Sequence, residues 1–201
     1  MPMTRLEHTA ARPCEHPRAL WEVNAQPELV RLREGARVTL RPARADDEPA
    51  LRIFLTDLCS EARRLRFFSG AADTASAAHA AASTGGGRFG LVVHDESGAL
   101  VAHALCAQLD RTRAEVAVEV ADHLHGRGLG TILIERLAAV AEQRGITQLV
   151  AEVLPDNREM LGVFRDSFDA HVSFREGIEA ITFPTSAWLT ASKRFPEEGT
   201  R

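Results

Sequence analysis

Val118-Glu-Val-Ala-Asp-His-Leu-His-Gly-Arg-Gly-Leu-Gly-Thr131 is the stretch on which the fold turns. Upstream, Ala114-Glu-Val-Ala-Val-Glu-Val120 alternates with period two, the pattern of a strand with one apolar face. Downstream, Leu133, Leu137 and Val140 recur at helical spacing and Gly145 stands where a helix ends, so the spacing predicts a helix over Leu129 to Arg144. Strand and helix meet at three glycines, Gly126, Gly128 and Gly130. The first amides of a helix lack internal partners and carry the positive end of its dipole, so this junction suits an anion. The glycines let a bulky pyrophosphate approach the backbone, and Arg127 adds a full charge.

Two nucleotide motifs fail here. A P-loop needs Lys after its last glycine, and none follows. The dinucleotide fingerprint Gly-x-Gly-x-x-Gly is not met by Gly126-Arg-Gly-Leu-Gly-Thr131, and it belongs to a parallel βαβ unit, whereas this strand follows hairpins.

Working outward, Arg37-Val-Thr-Leu-Arg41 reads as a strand stopped by Pro42. Asp46 and Asp47 precede Leu51, Phe54, Leu55 and Leu58 at helical spacing; further helices are expected over Glu61 to Phe68 and over Ala71 to Ser83. Phe89 to His94 and Leu100 to Leu109 form a hairpin through Glu96-Ser97-Gly98, and a turn at Asp110 to Arg113 leads into the alternating strand. Gln148 to Val153 is a strand, Asp156-Asn-Arg-Glu159 resembles a capping box opening a helix to Phe168, and His171 to Phe174 pairs with Ile178 to Phe183. Residues 1–36 read as an N-terminal extension, in which Ala19 to Val23 and Leu29 to Leu32 could each make one turn of helix. Residues 37–185 are one domain and 186–201 a tail. The class is α+β, a mixed, mostly antiparallel sheet flanked by helices.

His125-Gly-Arg-Gly-Leu-Gly130 resembles the Gln/Arg-x-x-Gly-x-Gly/Ala signature of the GNAT superfamily of N-acetyltransferases, with His125 where Gln or Arg is usual. The order of elements over 37–185 agrees. Within that superfamily, Leu40-Arg-Pro-Ala-Arg-Ala-Asp-Asp47, Arg64-Leu-Arg-Phe-Phe68 and Val150-Ala-Glu-Val-Leu-Pro-Asp-Asn157 look like the bacterial protein lysine acetyltransferases, whose domain is often fused to an acyl-CoA-synthetase-like region. The resemblance implies a seven-stranded sheet and acetyl-CoA as acyl donor, with no metal. It puts the pyrophosphate on the amides of His125, Gly126, Arg127, Gly128, Leu129, Gly130 and Thr131. The pantetheine arm would lie along Val118, Glu119 and Val120, with Asn157 shaping the site or simply capping its helix. The implied acceptor is a protein lysine, such as one on an acyl-CoA synthetase. A small amine is the alternative acceptor, and a non-catalytic acyl-CoA sensor the alternative class.

A lysine ε-amine titrates near 10.4, so only about one in 2,500 is neutral at pH 7 and a base must take its proton. Glu115 and Glu119 share one face of the strand, opposite Val116, Val118 and Val120. Glu115 matches the superfamily's base, and Glu119 is the second candidate. Many members are assigned a Tyr acid, but this chain has no Tyr and Phe164 stands at that position, so water is left to reprotonate the thiolate. Cys106 lacks a His neighbour and reads as a small apolar residue; Asp122, His123 and His125 are too weakly spaced for a metal site. Arg64, Arg66, Phe67 and Phe68 are either an acceptor wall or an ordinary helix end.

A net charge of −4 gives no reason to expect nucleic acid, and no apolar run approaches the roughly 20 residues that span a bilayer. Cys14, Cys59 and Cys106 fit no disulfide or zinc framework, and residues 1–18 lack a signal peptide's apolar core, so a reducing cytoplasm is expected.

Overall fold

The computed structural model describes residues 26–68 and 73–187; Cys14, Ala19 to Val23, the first residues of the alanine-rich helix and nearly all of the tail lie outside them. The strands are β1 (Glu28–Arg31), β2 (Arg37–Pro42), β3 (Arg88–His94), β4 (Leu100–Gln108), β5 (Arg113–Val120), β6 (Gln148–Val153), β7 (His171–Arg175) and β8 (Ile178–Pro184). The helices are α1 (Glu48–Asp57), α2 (Ser60–Phe67), α3 (Thr74–Ala82), α4 (Leu129–Gln143) and α5 (Arg158–Phe168). None of the described helices is long and apolar enough to cross a membrane.

One sheet runs β1-β2-β3-β4-β5-β6-β8-β7, antiparallel throughout except between β5 and β6. It has eight strands where seven were expected. The addition is β1, which replaces the turn of helix expected over Leu29 to Leu32 and pairs Glu28 to Arg31 with Leu40 to Arg37. Only Val30 of β1 is buried and Leu29 is exposed, so the segment has no alternation to read. Its strand character comes from the exposed edge of β2, not from its own pattern.

Two apolar layers cover the sheet. On one face, Val116 of β5, Ala104 and Cys106 of β4 and Phe183 of β8 pack with Leu129, Leu133 and Leu137 of α4 and with Phe164 and Phe168 of α5. The three phenylalanines stack tilted, with centroids 5.3–6.4 Å apart, a geometry favoured by ring quadrupoles. On the other face, Leu51, Phe54 and Leu55 of α1 join Ala78, Ala81 and Ala82 of α3 over Val92. The short alanine side chains let α3 lie close to the sheet.

The functional geometry follows from one mismatch of pairing. β5 is bonded to β4 from Ala114 to Val120, but to β6 only from Arg113 to Glu115. Beyond Glu115 the two parallel strands diverge, and the edge of β5 from Val116 to Val120 has no partner in β6. Helix α4 follows β5 and is crossed back into β6 after Gly145, whose φ of +81° suits its place just past the helix end.

Candidate active site

The divergence of β5 and β6 opens a cleft of about 810 Å³, within the range of about 300–1,000 Å³ usual for small-molecule sites. Val116 to Val120 form one wall, Ala151 to Val153 the other, and the glycine loop closes one end. No side chain caps α4, and its first internal bond runs from the Ile132 N–H to the Gly128 carbonyl at 3.2 Å. The amides of Leu129, Gly130 and Thr131 therefore precede the helical ladder and sit at the cleft. Gly128, at φ +86°, makes the turn that aims them there.

The two carboxylates of β5 part company although they share a face. Glu115 is exposed in the cleft, where the strands begin to separate. Glu119 is 5% exposed and both its oxygens are engaged. Oε1 accepts from Arg66 Nε on α2, and Oε2 from His103 Nδ1 on β4 at 2.9 Å. His103 stands directly opposite Glu119 in the antiparallel register. Burial, with the charge of Arg66, pushes the His103 imidazole down to about 3, the Ala81 carbonyl and Asp47 opposing in part. It is therefore neutral and holds its proton on Nδ1. Burial also draws the Arg66 guanidinium below its ordinary range, and the charge of Glu115 opposes this. Arg66 lines the cleft, with its guanidinium 5.0 Å from the centre of the Phe67 ring.

A strand with an unpartnered edge, an uncapped helix start behind a glycine turn and an exposed carboxylate thus line one cleft. The Acetyltransferase (GNAT) family pattern matches residues 55–168. The GNAT domain of S. lividans PAT is 32% identical, with a TM-score of 0.70 over 79% of this chain and 96% of that one. The chain belongs to the GNAT acetyltransferase family.

Two further solved structures are less similar in sequence. A cAMP-binding acyltransferase from Mycobacterium smegmatis is 25% identical (TM-score 0.58) over 80% of this chain, which spans 47% of that longer protein. The spermidine N-acetyltransferase from Vibrio cholerae, solved with CoA and spermine, is 14% identical (TM-score 0.60) over 76% of this chain and 98% of that one, and shares the fold alone.

In this GNAT domain the remaining candidates fall as follows. His125 Nε2 donates to the Val120 carbonyl at 2.9 Å, and Nδ1 lies 3.4 Å from Glu159 Oε2. His125 thus ties the loop to the end of β5 and the start of α5. Arg127 turns to Glu34 at 3.7 Å and is not among the cleft-lining residues, although its carbonyl accepts from the Arg33 amide. Arg33, in the turn after β1, does line the cleft. The charge expected of Arg127 is therefore brought by a residue of the N-terminal segment, which no local signal flagged. Asn157 caps α5, its Oδ1 accepting from the Met160 amide at 3.1 Å, and it also lines the cleft. Cap and site-shaper are compatible roles. Phe164 is 2% exposed and inside the aromatic cluster, with no hydroxyl to offer. Cys106 is wholly buried and its thiol is pushed up to about 12 by that burial, which leaves no thiolate near neutrality. Among the described residues no group of three or more His, Cys, Asp or Glu is placed to hold a metal.

Proposed function

We propose that this protein transfers the acetyl group of acetyl-CoA directly to a lysine ε-amine of a protein, with Glu115 as general base. The observation that carries the reading is the position of Glu115: a free carboxylate at the fork between β5 and β6, in the same cleft as the uncapped start of α4. The amides of His125 to Thr131 receive the pyrophosphate, and the open edge of β5 over Val118 to Val120 receives the extended pantetheine arm, as a strand edge receives a peptide. Glu115, directly or through a water, removes a proton from the acceptor ammonium. The freed amine attacks the thioester carbonyl carbon, backbone N–H groups of β5 stabilise the resulting oxyanion, and the C–S bond breaks as the adduct nitrogen loses its extra proton, through water, to the CoA thiolate, giving amide and thiol. Glu119 is a poorer base because Arg66 and His103 occupy both its oxygens. A protein acceptor, such as an acyl-CoA synthetase, is supported by the subfamily-like segments and by the 32% identity to the S. lividans PAT domain.

The test is transfer of label from acetyl-CoA into the proteins of a cell lysate, with wild type and Glu115→Gln. Discrete labelled bands that fall by about 10²-fold or more in the variant, the usual worth of a general base, support the reading. Bands of equal strength in both proteins remove Glu115 from the base role. Absence of bands with CoA binding intact points to a small-amine acceptor or an acyl-CoA sensor.

A further inference from the structure

The buried group behind the cleft asks what Glu119 is for if it is not the base. Arg66 carries five N–H donors, of which Glu119 engages only Nε. The guanidinium lines the cleft, and Glu115 is the second carboxylate whose charge bears on it. Packing fixes its place only in part: no residue of α2 is fully buried, although Ala62 and Phe67 rest against the layer formed by α1 and α3. Helix α2 is also tied across the cleft by ion pairs, Arg66 to Glu119 on β5 and Arg64 to Asp156 before α5 at 2.5 Å. Two carboxylates on one face of β5 thus compete for one guanidinium. The competition is decided by burial and by His103, which donates to Glu119 from behind and fixes its second oxygen.

We propose that Glu119, backed by His103, is a positioning residue that holds Arg66 off Glu115 and so keeps the Glu115 carboxylate open to an ammonium acceptor. Were Arg66 to move to Glu115, it would occupy the oxygens that must take the proton and set a cation where the acceptor's cation has to approach. Paired with Glu119 it does neither, and the three groups leave one net negative charge at the mouth of the base site. The inference rests on Glu115 being the base.

The experiment compares Glu119→Gln, Arg66→Met and the double variant by rate of label transfer from acetyl-CoA into lysate proteins, with CoA affinity and folding measured for each. Glu119→Gln is expected to lower kcat about twofold to fivefold with CoA affinity unchanged, the size of one competing ion pair. Adding Arg66→Met is expected to return most of that loss, because the rival for Glu115 is gone. A merely structural pair would show the loss and its return in the urea midpoint, with kcat per folded molecule equal in all the variants. A double variant no more active than Glu119→Gln overturns the proposal. If Glu119→Gln does not fold, the double variant still decides, since exchanging a whole buried pair for neutral groups is better tolerated than breaking it. Its kcat then stays within an order of magnitude of wild type, or the proposal fails. Glu115→Gln in the same assay separates the two readings: full activity there sinks the base assignment, whereas its loss together with failed rescue sinks only the role of Glu119.

Discussion

Adding a single methyl to the glycine loop should separate the stability of the fold from the grip on CoA. Gly130 lies in the first turn of α4, without a positive φ, and a Cβ there would meet only Met160 Cε at 3.9 Å, ordinary contact. Gly130→Ala therefore costs no strain and gains about 0.5–1 kcal/mol of helix preference, a rise of about 1–4 °C in Tm for a chain of this size. The same methyl stands among the amides proposed to hold the pyrophosphate. Loss of one charge-assisted hydrogen bond is worth about 1.5–3 kcal/mol, so CoA affinity should fall about tenfold to hundredfold. Gly128→Ala is the control for backbone strain. With φ at +86° and Arg33 Nε 3.7 Å from the added carbon, the site has room but the wrong conformation. It should lose about 1–2 kcal/mol and about 2–8 °C in Tm, together with CoA binding. Calorimetric titration with CoA and thermal melts read both effects. A Gly130→Ala protein that melts higher yet binds CoA as tightly as wild type would refute the seating of the pyrophosphate on α4.

Two further outcomes test the packing. Phe168→Ala, at a fully buried centre of the aromatic cluster, should cost about 3–5 kcal/mol in urea unfolding, whereas Phe174→Ala, 65% exposed on the edge strand β7, should stay within about 0.5 kcal/mol. In the native protein at pH 8, iodoacetamide should modify exposed Cys59 and spare Cys106, whose thiol burial raises to about 12; mass spectrometry in and out of urea checks this.

Much of this architecture was legible because its signals are local. The alternation of Ala114 to Val120, the glycines at 126, 128 and 130 and the stop at Gly145 each lie within one element, and β5, β6 and α4 fall within a residue of where the pattern put them. What was hidden depends on chain brought from elsewhere. Period-two alternation puts Glu115 and Glu119 on one face but cannot say that Arg66, 53 positions upstream in sequence, will meet one of them and leave the other open. Likewise Arg127 looks like the cation of the loop until Glu34 is found beside it and Arg33 takes the wall of the cleft. β1 has one buried side chain in four residues, too few for any period, and exists because β2 offers an edge.

Two buried groups should give this protein a flat stability profile in mild acid by cancelling one another. Glu135 of α4 is 6% exposed with Oε1 unbonded, and burial raises its carboxyl to about 7, with Arg136 opposing. The folded state then holds a proton that the unfolded state has released, so stability falls as pH rises from about 4.5 to about 7. His103 works in the opposite sense. Its imidazole stays neutral down to about 3, because burial and the nearby charge of Arg66 both oppose a second proton. The unfolded chain takes up that proton below about 6.5, so stability falls as pH drops through this range. Each slope is at most about 1.4 kcal/mol per pH unit, and between about pH 4.5 and 6.5 the two oppose. Urea unfolding of the wild type in that window should show almost no contribution from this pair. Glu135→Gln removes the falling limb and should expose stability that climbs with pH. His103→Asn, whose amide nitrogen can replace Nδ1 toward Glu119, should expose the reverse. Parallel profiles for all three proteins would mean that neither burial acts on proton binding as the geometry requires.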